Sequence, residues 1–146
     1  MLVEVSKSPY IMVFIASWVV AHLIKFIVST MNKEDINLKS HIYRSGGMPS
    51  AHSATSVSVA TMIGLVNGFD SGLFGLALLV ATIFIYDSMM VRRSCGEQGQ
   101  AVEKIIKETR SKAKLRHIAL GHKPLEVFFG SLLGLFIAII VFFATN

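Results

Sequence analysis

The chain has 146 residues, 53% of them hydrophobic, with a mean hydropathy of +0.61; 14 Lys and Arg against 9 Asp and Glu leave a net charge of +5. That length accommodates one domain, 1–146, and its long apolar runs exclude a water-soluble globule in favour of an integral membrane protein. The single cysteine, Cys95, excludes an intrachain disulfide and a cysteine-based metal cluster.

A short polar lead is followed by the first expected span, about 9–30. The run Tyr10–Ile24 continues through Lys25 into Phe26-Ile27-Val28 without a small-residue cleavage site, so it reads as a span and not as a cleaved signal. His22 and Lys25 are spaced to share one helix face near its end. An ionisable residue inside a span is a functional candidate, although a lysine there can also snorkel to the interface.

A polar connection, 31–48, leads to the stretch G-G-M-P-S-A-H-S at 46–53. Pro49 suits a first helical position, where its missing N–H is no loss. The glycines allow a tight backbone turn. The free amides and positive end of the helix that follows form an anion site, with Ser50 and His52 inside its first turn. Pro-Ser-x-His is a short pattern, and taken alone it describes many ordinary helix starts. The second span, about 49–66, is rich in Ser and Thr, which suits close packing inside a bundle. Asn67–Gly72 reads as a tight turn.

The third span, about 73–91, carries Asp87 near its end and is followed by Arg92 and Arg93. Asp87 is expected to pair with one of the site cations and hold it. A second polar connection, 92–123, contains a basic amphipathic helix from about Glu97 to Leu120, with Val102, Ile105, Ile106 and Thr109 on one face. Gly-His-Lys-Pro-Leu-Glu at 121–126 then opens the fourth span, about 124–144. Pro124 suits its first position, which leaves His122 just outside and Glu126 within the first turn. A carboxylate bonded to one imidazole nitrogen fixes the tautomer and frees the other nitrogen to attack. The same glutamate also favours the positive helix end, and the two roles are compatible. Gly130 and Gly134 form a small-residue pair for helix packing and one seam available to a homodimer.

All but one of the 14 basic residues, Lys7, fall in or beside the two polar connections. The positive-inside rule therefore puts those connections in the cytoplasm and both termini outside. The expected fold is all-α: a four-helix integral membrane bundle with a cytoplasmic basic helix between the third and fourth spans. Lys25, Arg44, Ser50, His52, Asp87, Arg92, Arg93, His122 and Glu126 all fall at the same membrane face.

With these residues assembled, P-S-A-H at 49–52 and H-K-P-L-E-V-F-F-G at 122–130 resemble two signature motifs of the type 2 phosphatidic acid phosphatase superfamily, which also contains the vanadium haloperoxidases. Together with Y-D-x-x-x-V-R-R-x-x-G-E-Q at 86–98, the whole chain looks like its small divergent branch in bacteria and plants. The resemblance implies that His122 is a nucleophile forming a phosphohistidine, with Glu126 in place of the family's orienting aspartate. It implies that His52 is the general acid and then the base, and that the phosphate ligands come from Lys25, Arg44, Ser50 and Arg92 or Arg93. It implies no metal and no other cofactor. Four features depart from the family pattern: Lys25 and Arg44 lie too far apart, Ala51 replaces a glycine, Glu126 replaces an aspartate, and a long polar stretch separates Arg93 from His122.

The expected activity is metal-independent hydrolysis of a lipid phosphate monoester or diphosphate, in a bacterial cytoplasmic membrane with the site facing the cytoplasm. The expected partner is a phosphorylated membrane lipid, not a nucleic acid. The alternative is a non-catalytic module that binds anionic lipid or a partner. Haloperoxidase activity is disfavoured because those relatives are soluble.

Overall fold

The computed structural model describes residues 8–31, 47–113 and 121–145. Arg44, Lys39, His41, Tyr43, His117 and most of the first polar connection lie outside the described residues, as does the 114–120 part of the expected basic helix.

Among the described residues every regular element is helical: α1 (Pro9–Met31), α2 (Ala51–Asn67), α3 (Gly72–Tyr86), a π-helical turn (Asp87–Val91), α4 (Arg92–Glu108) and α5 (Pro124–Thr145). Among the described residues, three helical segments are long and apolar enough to cross a membrane: Pro9–Met31, the continuous Gly72–Glu108 and Pro124–Thr145. Their large side chains point outward; Ile15, Leu79, Ile83, Phe136 and Ile140 are all exposed. That pattern matches a bilayer solvent, in which apolar surface has no reason to turn inward.

Helix α2 has 17 residues, is shorter than α1 and α5 and more polar than α1, α3 and α5, and it forms the centre of the bundle. It packs against α1, α3 and α5. Its buried face is made of small residues, Ser53, Ala54, Ser58, Ala60 and Gly64, with Met62 filling the core beside Val13, Ile137 and Ala138. The Ser58 hydroxyl lies 2.9 Å from Ser17 Oγ across the α1 contact, and Ser17 donates on to the Phe14 carbonyl at 3.0 Å. Buried hydroxyls are thus paired where no water is available.

Contacts at the helix ends set the directions. Tyr10, at the start of α1, donates its hydroxyl to Asn67 Oδ1 at the end of α2, at 2.7 Å. Ser50, just before α2, donates its N–H to the Glu126 carbonyl near the start of α5, at 3.0 Å. Helices α1 and α2 therefore run antiparallel, and α2 and α5 run parallel. Gly68, with φ of 91°, turns the chain back into α3, whose N-cap Ser71 accepts from the Phe74 N–H at 3.2 Å.

Three expectations are corrected. Pro49 is not a first helical residue: α2 begins at Ala51, Ser50 is its N-cap, and the Met48–Pro49 peptide is cis. The basic helix does not start near Glu97: α4 continues directly from α3 through the π turn. Within the described residues it stops at Glu108, because Arg110 adopts φ of 51° and the Ser111 N–H turns back to the Ile106 carbonyl, a Schellman-type ending. The Gly130/Gly134 pair is not a seam between copies, because both glycines are buried against α2 of the same chain.

Candidate active site

The end of α1, the start of α2, the end of α3 and the start of α5 meet at one end of the bundle. The α2–α5 seam sets their spacing. A Cβ on Gly130 would come within 2.5 Å of the Ser50 carbonyl oxygen, and one on Gly134 would collide with the Ala54 carbonyl oxygen. Glycine at both positions lets the two backbones touch, which brings His52 and His122 to opposite sides of one gap. Their ring centroids are 6.3 Å apart, with the rings edge to face.

His122 is held from three directions. Its N–H donates to the Ser88 carbonyl at 3.0 Å. Gly121 before it lies so close to the Arg93 backbone that a Cβ there would overlap it. Its Nδ1 lies 2.8 Å from Glu126 Oε2. An ionised carboxylate can only accept, so the proton sits on Nδ1, and the Nε2 lone pair is left for chemistry. Glu126 Oε2 also accepts the Lys123 N–H at 3.2 Å, which is half of a capping box at the start of α5. One carboxylate therefore caps the helix and orients the ring.

His122 is only 5% exposed, whereas His52 is open. Burial pushes the His122 imidazole below the ordinary histidine range. The hydrogen bond and charge of Glu126 oppose that shift, and the cations Lys25 and Arg92 add to it. The ring is therefore neutral over a wider pH range than a solvated histidine.

Lys25 and Arg92 both act electrostatically on both histidines, and Asp87 acts on His52. The Lys25 stem passes Gly47, where an added Cβ would sit 3.2 Å from Lys25 Cε. Gly47 has φ of 89°, a backbone region that L side chains rarely adopt. Arg92 owes its position to the π turn. Residues i and i+5 on a regular helix face about 140° apart, but the wider π turn realigns them. Arg92 Nε donates to Asp87 Oδ2 at 2.8 Å as a result.

The other expected site residues are placed differently. Arg93 is 59% exposed and pairs with Glu97 at 3.1 Å. Ser50 is fully buried; its hydroxyl accepts from the Ser53 hydroxyl at 3.0 Å and from the Ser53 N–H at 3.4 Å. His22 lies 2.9 Å through Nδ1 from the Trp18 carbonyl and stacks on the Trp18 ring, so it serves its own helix. Ser88 and Gly121 also hold the site: the Ser88 carbonyl accepts from the His122 N–H, and Gly121 lies against the Arg93 backbone. Each acts through its backbone, and side-chain chemistry gives no signal for that.

Two cavities flank the histidines. An apolar groove of about 400 Å³ between α2 and α3 ends at His52. On the other side, a cavity of about 580 Å³ among the described residues is bordered by His122, Arg93, Glu97 and Lys123.

These features define a helical integral membrane protein whose ionisable groups converge on two histidines at one end of the bundle. A family model for the Divergent PAP2 family matches residues 6–137, and the chain belongs to that family. The uncharacterized membrane protein YuiD of Bacillus subtilis is 35% identical to it, over 81% of this chain and 81% of that protein. No solved structure matches the chain.

Proposed function

We propose that this protein is a membrane-embedded phosphatase that hydrolyses a lipid phosphate monoester or diphosphate through a phosphohistidine. The observation that carries the reading is the His122–Glu126 pair at 2.8 Å facing His52, with Lys25 and Arg92 acting on both rings. A carboxylate-oriented neutral imidazole, a second imidazole across a gap and two cations are the groups that metal-free phosphoryl transfer needs.

In the first step His122 Nε2 attacks phosphorus. The N–P bond forms as the ester P–O bond breaks, and the electron pair leaves on the alcohol oxygen. Protonated His52 gives its proton to that oxygen. In the second step neutral His52 takes a proton from water as the water oxygen attacks phosphorus. The N–P bond breaks, phosphate departs and His122 is restored. Lys25 and Arg92, with Arg44 assigned alongside them from the sequence, neutralise charge on the phosphoryl oxygens. Arg93 and Lys123 guard the nucleophile's side, and Ser50 caps α2 so that its positive end faces the gap.

The short helix α2 completes a four-span arrangement. It runs antiparallel to α1 and joins α3 by a tight turn, so it covers the depth between Tyr10 and Lys25. The positive-inside rule then puts the site at the cytoplasmic face of a bacterial cytoplasmic membrane.

The test is phosphate release by purified protein from a panel of lipid phosphates in the presence of EDTA. EDTA-resistant release that disappears in His52→Ala and His122→Ala is the expected result. Full activity in pure His122→Ala protein would overturn the mechanism. The non-catalytic alternative draws on α4, whose Val102 and Ile105 are exposed. It predicts anionic-vesicle binding that survives loss of both histidines and weakens when Lys104, Lys107, Arg110 and Lys112 are neutralised.

A further inference from the structure

The α2–α3 groove touches His52 and not His122, whereas the polar cavity touches His122 and not His52. The groove's walls run from His52 to Ile63 on α2 and from Phe84 to Leu73 on α3. At the helical rise each wall is about 16 Å long. That is about half of a ~30 Å hydrocarbon core, the depth of one leaflet. Thr55 and Ser56 line it near His52, yet both hydroxyls donate to carbonyls of their own helix, Ala51 at 2.9 Å and His52 at 2.8 Å. Neither hydroxyl therefore has a proton left to donate to an occupant.

We infer that this groove holds a single hydrocarbon chain carried by the leaving alcohol, with the ester oxygen at His52 and the chain end near Ile63 and Leu73. The inference rests on the phosphatase reading. Displacement at phosphorus puts the attacking and leaving atoms roughly in line. With His122 attacking, the leaving oxygen emerges on the His52 side, where the apolar groove begins. The released phosphate faces the polar cavity, bordered by Arg93 and Lys123. Substrates of this type are phosphate esters of long-chain alcohols, and the groove's depth sets the chain length beyond which extra methylenes add nothing.

The experiment has two arms on the full-length protein. In the first, kcat/KM is measured for butyl, decyl and hexadecyl phosphate with wild type and with Ala77→Phe, which fills the groove midway. Wild type should prefer decyl over butyl phosphate by at least about tenfold, with little further gain for hexadecyl. Ala77→Phe should cut the decyl-to-butyl ratio by about tenfold. An unchanged ratio in folded Ala77→Phe protein overturns the groove assignment and leaves the phosphatase reading standing.

In the second arm, wild type is photolabelled with an alkyl phosphate bearing a diazirine at its tail end. Labelling at Ile63 or Leu73 that hexadecyl phosphate blocks and phosphatidylcholine vesicles do not is the expected outcome. Labelling blocked equally by both marks an ordinary bilayer tail and overturns the inference. Specific labelling without hydrolysis of any ester overturns the phosphatase reading and keeps the tail site.

Discussion

Helix α2 meets two neighbours in opposite ways. Against α5 it is in backbone contact: glycines at 130 and 134 seat directly on the carbonyls of Ser50 and Ala54. Against α3 it leaves a groove of about 400 Å³ lined by larger side chains such as Leu76 and Phe84. The tight seam fixes one histidine relative to the other, and the loose contact leaves one of them reachable from the bilayer. Reaction geometry has a tolerance well under an ångström, whereas a lipid tail needs only an apolar space of the right depth. Under the proposed reading one small-residue helix provides both, with a different face turned to each partner.

The largest expected effect is on the tight side. His122→Ala should abolish phosphate release, measured in detergent with the fold checked by circular dichroism. Glu126→Gln keeps the shape but removes the charge that sets the tautomer, and should lower kcat by roughly 10²–10⁴. Its pH profile adds a sign. His122 already titrates below the ordinary 6.5, so the acid limb of wild-type kcat/KM, set by protonation of His122, should lie below that value. Glu126 raises that pKa, so Glu126→Gln should shift the acid limb to still lower pH while the plateau drops. A limb that moves upward would mean the carboxylate does not hold this ring.

Gly134→Leu should lower stability by about 3 kcal/mol, near the upper end for overpacking, because the obstruction is backbone that cannot turn aside. Thermal unfolding in detergent reads this directly. The contrast is Val80→Ala on the open side, expected to cost about 1 kcal/mol or less. Equal losses at the two positions would erase the distinction between seam and groove. Between these lies Asp87→Asn, which releases Arg92 from its 2.8 Å partner. Both side chains are partly solvated, so KM should rise by only about three- to tenfold with kcat little changed.

Much of the site is legible in the amino-acid sequence. His52, His122 and Glu126 could be read because each sits within a turn of a helix start, and residues so placed face one end of a bundle whatever its packing. Lys25 was legible as a charge that an apolar span does not carry without reason. Which arginine joins the histidines was not legible. Arg92 and Arg93 are adjacent and chemically identical, and the choice depends on a π turn that one inserted residue creates. Glu97, with no mechanism visible in the sequence, proves to be Arg93's partner.

The amino-acid sequence by itself determined the membrane character, the small-residue helix and the clustering of ionisable groups at helix ends, because hydropathy and local spacing are properties of short segments. Tertiary structure alone decided that the glycine pair joins α5 to α2 within one chain, that Ser88 and Gly121 hold His122 through their backbones, and that an apolar groove ends at His52. Each of these depends on which surfaces meet across the bundle. That is settled by the simultaneous fit of helices distant in sequence, which no local pattern encodes.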